Sequence, residues 1–165
     1  MGSPTYIPLA NITLTGSDSE VSFANIPSIF RDLILVCEMK TASSTASAYL
    51  RLNGATSNYS TILMRGNGSD TVSSNAGGAT DRTFVAYSTE PTTSTATNSI
   101  IQIMDYSTTD KQKTILQRSN NSADATEAIV ARYASTSAIT SVQIGMDSSL
   151  SFATGSTFSL FGIAG

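Results

Sequence analysis

The sequence predicts an all-β protein: an antiparallel two-sheet β-sandwich, jelly-roll-like, with about ten strands. Apolar and polar residues alternate with a period of two in many short stretches, which is the pattern of half-buried strands. No segment sustains the 3.6-residue periodicity of an amphipathic helix. The apolar runs are separated by Gly, Asn, Ser and Thr at roughly 8–12 residue intervals, which is typical of sandwiches and barrels.

The first strands are predicted at residues 12–14 and 21–23, joined as a hairpin by the polar turn at 16–19. Pro27 then interrupts regular pairing, because the residue before a proline is conformationally restricted. The next strand, 33–39, contains the longest apolar run of the chain. This run predicts a central strand that is covered on both faces.

Glycine, serine and asparagine dominate the segment at 66–79, which follows two predicted strands at 49–52 and 59–64. We expect this segment to be a long surface loop that could carry function. Its candidate exposed residues are Asn67, Ser69, Asp70 and Asn75. The oxygen-rich run 67–70 could bind Ca²⁺, but its spacing differs from an EF-hand loop and it contains one carboxylate. A solvated turn is therefore the favoured interpretation.

The second half of the chain continues the strand pattern, and most of its elements are unambiguous. Strands are predicted at 84–87, at 98–106 paired with 114–117, at 139–146 and at 157–163. The exception is 127–133, where Ala, Glu and Arg favour a helix but Ile129, Val130 and Tyr133 favour a strand. We predict a strand there, because the flanking segments are all β.

Charged residues make up only 13% of the chain, against about 25% in typical soluble domains. Sheet edges are usually protected by lysine and other charges, so we expect faces or edges of this sandwich to be covered by neighbouring copies or by another surface. The alternative is that serine and threonine hydroxyls alone keep the protein soluble. The net charge of −3 and the lack of a basic stripe argue against nucleic-acid binding. No apolar stretch reaches the roughly 18 residues of a membrane helix.

The residue inventory argues against an enzyme. The chain has no histidine, so imidazole-based triads are excluded and the commonest zinc ligand is missing. Cys37 is single and lies in an apolar run, which predicts a buried thiol, no internal disulfide and assembly in a reducing cytoplasm. Paired carboxylates remain the one catalytic option, but the chain has no tryptophan to hold a sugar. We therefore predict no catalytic residue, no bound metal and no cofactor.

Four stretches, in this order and spacing, resemble virion proteins of tailed bacteriophages, especially those of cyanobacterial and marine phages. They are residues 21–36, 50–60, 139–142 and 156–163. The resemblance covers most of the chain, and it implies a virion β-sandwich of the kind found in capsid cement or decoration proteins and in tail appendages. No functional residue is carried over, because the shared positions are predicted core and turn residues.

The expectation that follows is a cement protein that binds the outer capsid surface and stabilises it. It would act as a homotrimer in contact with the major capsid protein, after assembly in the host cytoplasm. Residues 1–9 are predicted to form an N-terminal arm ahead of a single domain at 10–165. Within the arm, Pro4, Tyr6, Ile7 and Pro8 are the candidate subunit or capsid contacts, because prolines prevent a helix there. The alternative for this segment is an ordinary edge strand.

A second hypothesis places the chain at the tip of a tail fibre, as a head that binds a host-surface glycan. In that case the 66–79 segment and the threonine-rich residues 92–97 would contact the sugar. Aromatic residues make up only 7% of the chain, which is few for stacking against sugar rings.

Overall fold

Alternating side chains place one face of each strand in a shared interior, and two sheets result. The computed structural model describes residues 5–69, 71–87 and 89–165, with the backbone alone for 71–79. Both sheets are antiparallel and pack face to face. The predicted class, an all-β two-sheet sandwich, is confirmed.

The larger sheet contains eight strands. In spatial order they are β1 (Tyr6–Thr13), β12 (Thr157–Ile163), β3 (Asp32–Met39), β8 (Thr97–Met104), β9 (Lys113–Asn121), β10 (Thr126–Tyr133), β5 (Tyr59–Gly66) and β6 (Thr71–Thr80). The smaller sheet contains β2 (Glu20–Phe23), β11 (Val142–Met146), β4 (Ala48–Leu52) and β7 (Thr83–Ala86). A short 3₁₀ turn, Asp147–Ser149, follows β11. Within the described residues, no helix is long and apolar enough to cross a membrane.

The core lies between the two sheets and is built from their inward-facing residues, such as Leu33, Leu35, Leu50 and Phe158, which are fully or almost fully buried. Tyr59 links the layers, because its hydroxyl accepts a hydrogen bond from the backbone N–H of Leu52 in the smaller sheet, at 2.7 Å. Desolvation of the buried phenol raises the pKa of Tyr59 to about 12.

Three predictions about individual strands are settled by the pairing. The strand at 127–133 is confirmed, since β10 pairs along its whole length with both β9 and β5. The pairing of 98–106 with 114–117 is also confirmed by β8 and β9. The predicted hairpin of 12–14 with 21–23 is wrong: β1 pairs with β12, and β2 pairs with β11 in the other sheet. Alternation predicts that a segment is a strand but carries no information on which distant strand it pairs with.

The predicted surface loop at 66–79 is wrong for most of its length. Gly66 ends β5, and residues 71–80 form β6, which pairs with β5 at the edge of the larger sheet. Backbone hydrogen bonds to a neighbouring strand need no large side chain, so a Gly- and Ser-rich segment can form an edge strand. Asn75 lies in β6 opposite Ile62, and Asp70 lies outside the described residues.

The N-terminal segment follows the edge-strand alternative where the structure describes it. Tyr6, Ile7 and Pro8 begin β1, which runs across the predicted boundary between residues 9 and 10 and pairs with β12. The register shifts between Pro8 and Ala10, at the free edge where a proline is tolerated. Pro4 lies outside the described residues.

Candidate interaction surface

The outward face of the larger sheet carries an unusual number of aliphatic side chains. One row of register partners across six strands is Phe161, Ile34, Gln102, Leu116, Val130 and Ile62. The adjacent row is Ser159, Val36, Ile100, Arg118, Ala128 and Met64. We call the apolar members of these two rows the aliphatic band.

The aliphatic band is open to solvent. Its most exposed side chains are Met64 at 57%, Ile62 at 55% and Val130 at 46%, while Leu116, Ile100 and Val36 are each exposed by close to two fifths. Strand β3 was predicted to be covered on both faces, and this is wrong for its outward face. The smaller sheet covers the inward face of the larger sheet. Among the described residues, no element covers the outward face.

A shallow groove of about 620 Å³ runs over the centre of the band. Aliphatic side chains of β3, β8, β9 and β10 line it together with Tyr6, Arg31 and Arg118. Tyr6, a candidate contact from the sequence, is 55% exposed and therefore belongs to this surface. Pro8 is also on β1, where it is the register partner of Phe161, and Ile7 is partly buried.

The charges on this face are few. Arg118 lies within the second row, and Glu38 lies on β3 two residues beyond Val36. Within the part of the chain that the structure describes, neither side chain forms an ion pair. Two further exposed cations border the band: Arg31, which pairs with Asp32, and Arg132, which donates to the Ser60 hydroxyl at 3.5 Å. The surface thus has an apolar centre and, around it, positively and negatively charged side chains that a partner could bind.

The remaining candidate loop residues, Asn67 and Ser69, do not form a binding site together with this surface. Asn67 and Ser69 lie in a tight turn in which the Ser69 N–H donates to Asn67 Oδ1 at 3.0 Å. Among the described residues, no cluster of three or more acidic or cysteine side chains could hold a metal ion. Cys37 is buried in the core, and desolvation raises the pKa of its thiol.

A different arrangement occurs on the smaller sheet, where charges are paired around an aromatic ring. The guanidinium carbons of Arg51 and Arg82 each lie 4.8 Å from the centroid of the Tyr49 ring. Arg51 binds Asp81 at 2.6 Å, and Arg82 binds both Asp81 and Asp147. A cleft of about 470 Å³ beside this cluster is lined in part by Tyr49, Arg51, Arg82 and Asp147. Because both cations are already bound to carboxylates, the cluster is a stabilising network with no cation left for a ligand.

Asp81 should respond to acid in a defined way. Hydrogen bonds from Arg82, followed by those from Arg51, lower the pKa of Asp81 from 3.8 to about 2. A carboxyl whose folded pKa is lowered stabilises the fold above its ordinary pKa, and that contribution is lost as the pH falls through about 2. We expect a carboxyl ¹³C NMR titration of Asp81 to have its midpoint near that value. Arg82→Gln should raise the midpoint, while Arg31→Gln on the other sheet should leave it in place. An unchanged midpoint in Arg82→Gln would contradict this assignment.

Sequence reasoning missed the aliphatic band, although a signal was present. Neighbouring apolar residues such as Ile100–Ile101 and Ile129–Val130 must point to opposite faces of a strand. In an antiparallel sheet packed on one side, such pairs mark strands whose solvent face is also apolar.

Comparisons with known proteins give no family for this chain. No protein-family model matches it, and no curated protein matches it. One similar solved structure is that of a protein of unknown function from Shewanella oneidensis MR-1, with 13% identity over 99% of this chain and 78% of that one. Its TM-score is 0.24.

Proposed function

We propose that this protein is a structural, non-catalytic component of a tailed-phage particle: a cement protein that binds the outer surface of the capsid and stabilises it. The observation that carries the proposal is the exposed aliphatic band on the larger sheet. The resemblance of four sequence stretches to virion proteins supports the phage setting. The partners in this proposal are further copies of the chain, expected to form a trimer, and the major capsid protein.

The band supports a role in binding protein rather than small molecules. Its exposed side chains form an apolar patch on the order of 500 Å², the size of the largest patch on a typical monomer, which is often functional. The surface is broad and shallow, whereas small ligands bind in deep enclosed pockets. Few charges must be desolvated when such a face is covered. Many copies with shallow contacts would hold a shell firmly through valency.

The glycan-binding alternative is less well supported. It depended on a long loop at 66–79, most of which is strand β6. It also depended on the threonines at 92–97, where Thr92 Oγ1 accepts the Thr95 N–H at 2.8 Å within a compact turn. Neither segment presents an aromatic side chain among the described residues.

Reconstitution on the particle tests the proposal. Purified protein is added to capsids of the parent phage from which it has been stripped, and bound protein is measured after sedimentation. We expect saturable rebinding and a higher temperature of capsid opening. Failure to bind capsids, together with glycan-competed binding to host cells, would replace this proposal with the tail-fibre alternative. Turnover of a polysaccharide would contradict both.

A further inference from the structure

We propose that a second copy of this chain covers the aliphatic band, related to the first by a twofold axis that runs parallel to the strands between β8 and β9. The inference rests on the proposed function only through its expectation of a homo-oligomer. It replaces the trimer expected of a cement protein with a face-to-face pair, in which the band binds the second copy and another surface of the pair contacts the capsid.

The apolar pattern is complementary to itself about this axis. The axis divides the eight strands into two groups of four and exchanges β3 with β10, and β12 with β5. Because the rows are in register, Ile34 then lies opposite Val130 of the second copy. Phe161 similarly lies opposite Ile62 of the second copy, and Val36 opposite its Ala128. The apolar pattern thus matches at these three pairs, each made twice by the symmetry of an isologous interface. At the other three positions an apolar side chain faces a polar one: Met64 lies opposite Ser159, Leu116 opposite Gln102 and Ile100 opposite Arg118.

The charges on the face match about the same axis. Asp32 is the outward residue two positions before Ile34, and Arg132 is two positions after Val130 on the antiparallel strand, so Arg132 of the second copy lies opposite Asp32. Asp32 accepts hydrogen bonds from Gln102 and Arg31 at the rim of the band. Asp32 is 3% exposed and already pairs with Arg31 at 3.3 Å, so Arg132 of the second copy would extend this ion pair at its outer side.

Arg118 and Glu38, neither of which forms an ion pair within the described residues, also become neighbours. Arg118 of the second copy lies opposite Ile100, and Glu38 is one strand and two residues away from Ile100. Strands are about 4.8 Å apart and packed sheets about 10 Å apart, distances that extended Arg and Glu side chains span together. Twofold symmetry would produce each of these contacts twice.

The size of the face suits a stable dimer. Eight strands about 4.8 Å apart, each roughly 25 Å long, form a face on the order of 800 Å². A standard protein–protein interface buries about 800 Å² on each partner. The apolar centre and charged rim also match the usual composition of such interfaces.

Light scattering coupled to size exclusion tests the pair directly. We expect the full chain to have twice the mass of its 17.2 kDa monomer. Val130→Glu and, as a second variant, Ile62→Glu place a carboxylate opposite Ile34 and Phe161, and each should reduce the mass to that of the monomer. The matched control is Ser22→Glu, which adds the same charge at an exposed position on the smaller sheet and should retain the dimer. Circular dichroism and thermal unfolding identify any variant that fails to fold.

Three outcomes would overturn the inference. The first is a wild-type monomer at every concentration tested. The second is a trimer, and the third is a dimer that persists in folded Val130→Glu and Ile62→Glu. None of these outcomes depends on capsids, so a failed dimer with successful capsid rebinding would reject the twofold pair and leave the cement function standing. The reverse result would reject the cement function alone.

Discussion

Replacing Glu127 with alanine should destabilise the sandwich by about 2–3 kcal/mol, because it leaves the Tyr87 N–H and one buried hydroxyl without an acceptor. Glu127 faces inward from β10 and is 3% exposed. Its Oε1 atom accepts hydrogen bonds from the Tyr87 N–H at 2.9 Å, from the Thr89 hydroxyl at 3.1 Å and from the Ser119 hydroxyl at 2.8 Å. These bonds attach the chain that follows β7 to the interior of the larger sheet.

The comparison that isolates this effect is Glu127→Gln. Glutamine keeps the length of the side chain and a carbonyl oxygen that can accept the same bonds, so its loss of stability should be clearly smaller than that of Glu127→Ala. Thr114→Ala changes an exposed residue of the neighbouring strand β9 and should alter stability by less than about 0.5 kcal/mol. Urea unfolding of the three variants gives the free energies. A cost for Glu127→Ala as small as that for Thr114→Ala would show that the buried bonds are not stabilising.

Glu127 also shows why a sequence can suggest a chemical role that the fold does not support. The sequence offers it as one of several carboxylates available for acid–base chemistry. In the structure its Oε1 atom accepts hydrogen bonds from hydroxyl and amide groups inside the sandwich, which is a structural function. The partners come from β9 and from the segment after β7, and their proximity depends on strand order. Strand order is not encoded in local alternation.

The strands themselves were largely predictable, because period-two alternation is a local property. What could not be predicted was long-range placement: β1 and β2 are close in sequence but lie in different sheets. Which charged side chains are buried could not be predicted either. Lys113 is fully buried, and its ammonium donates to the backbone carbonyl oxygens of Thr108 and Lys111. Burial lowers the pKa of Lys113, whereas a lysine in a polar stretch is ordinarily expected to be exposed.

The sequence indicated that a surface poor in charge should exist, but it did not indicate where on the fold this surface lies. The shortage of charged residues led to the expectation that a partner covers faces or edges of the sandwich, and this stays a prediction. Tyr6, the candidate contact, is 55% exposed beside the band. The location of the band depends on the fold having two layers, because the outward face of each sheet then has no further layer of the described chain over it. Aliphatic residues of β3, β8, β9, β10 and β5 lie on that face of the larger sheet, and no local pattern reports how many layers a fold has.

A second large loss of stability is expected on substitution of Gly162 in β12, where Phe30 packs against the strand. The ring of Phe30 lies directly over the Gly162 backbone: a Cβ added there would be 2.4 Å from Phe30 Cγ, 2.5 Å from Cδ2 and 2.7 Å from Cδ1. These atoms are at the base and sides of the ring, so the whole aromatic group must move. Gly162→Ala should therefore destabilise the protein by about 2–3 kcal/mol, within the range for overpacked sites.

A double-mutant cycle separates this steric conflict from a general effect of alanine in a strand. Phe30→Ala removes the obstructing ring, so Gly162→Ala should cost much less in that background than in the wild type, and the two changes should be strongly non-additive. Gly66→Ala is the matched control, since a Cβ at Gly66 meets nothing within 4 Å. It should be close to neutral, as an alanine in a strand is no worse than glycine. If Gly162→Ala proved as mild as Gly66→Ala, the close packing of Phe30 on β12 would be excluded. Equal costs of Gly162→Ala with and without Phe30 would show that the strand itself, rather than the ring, resists the added methyl group.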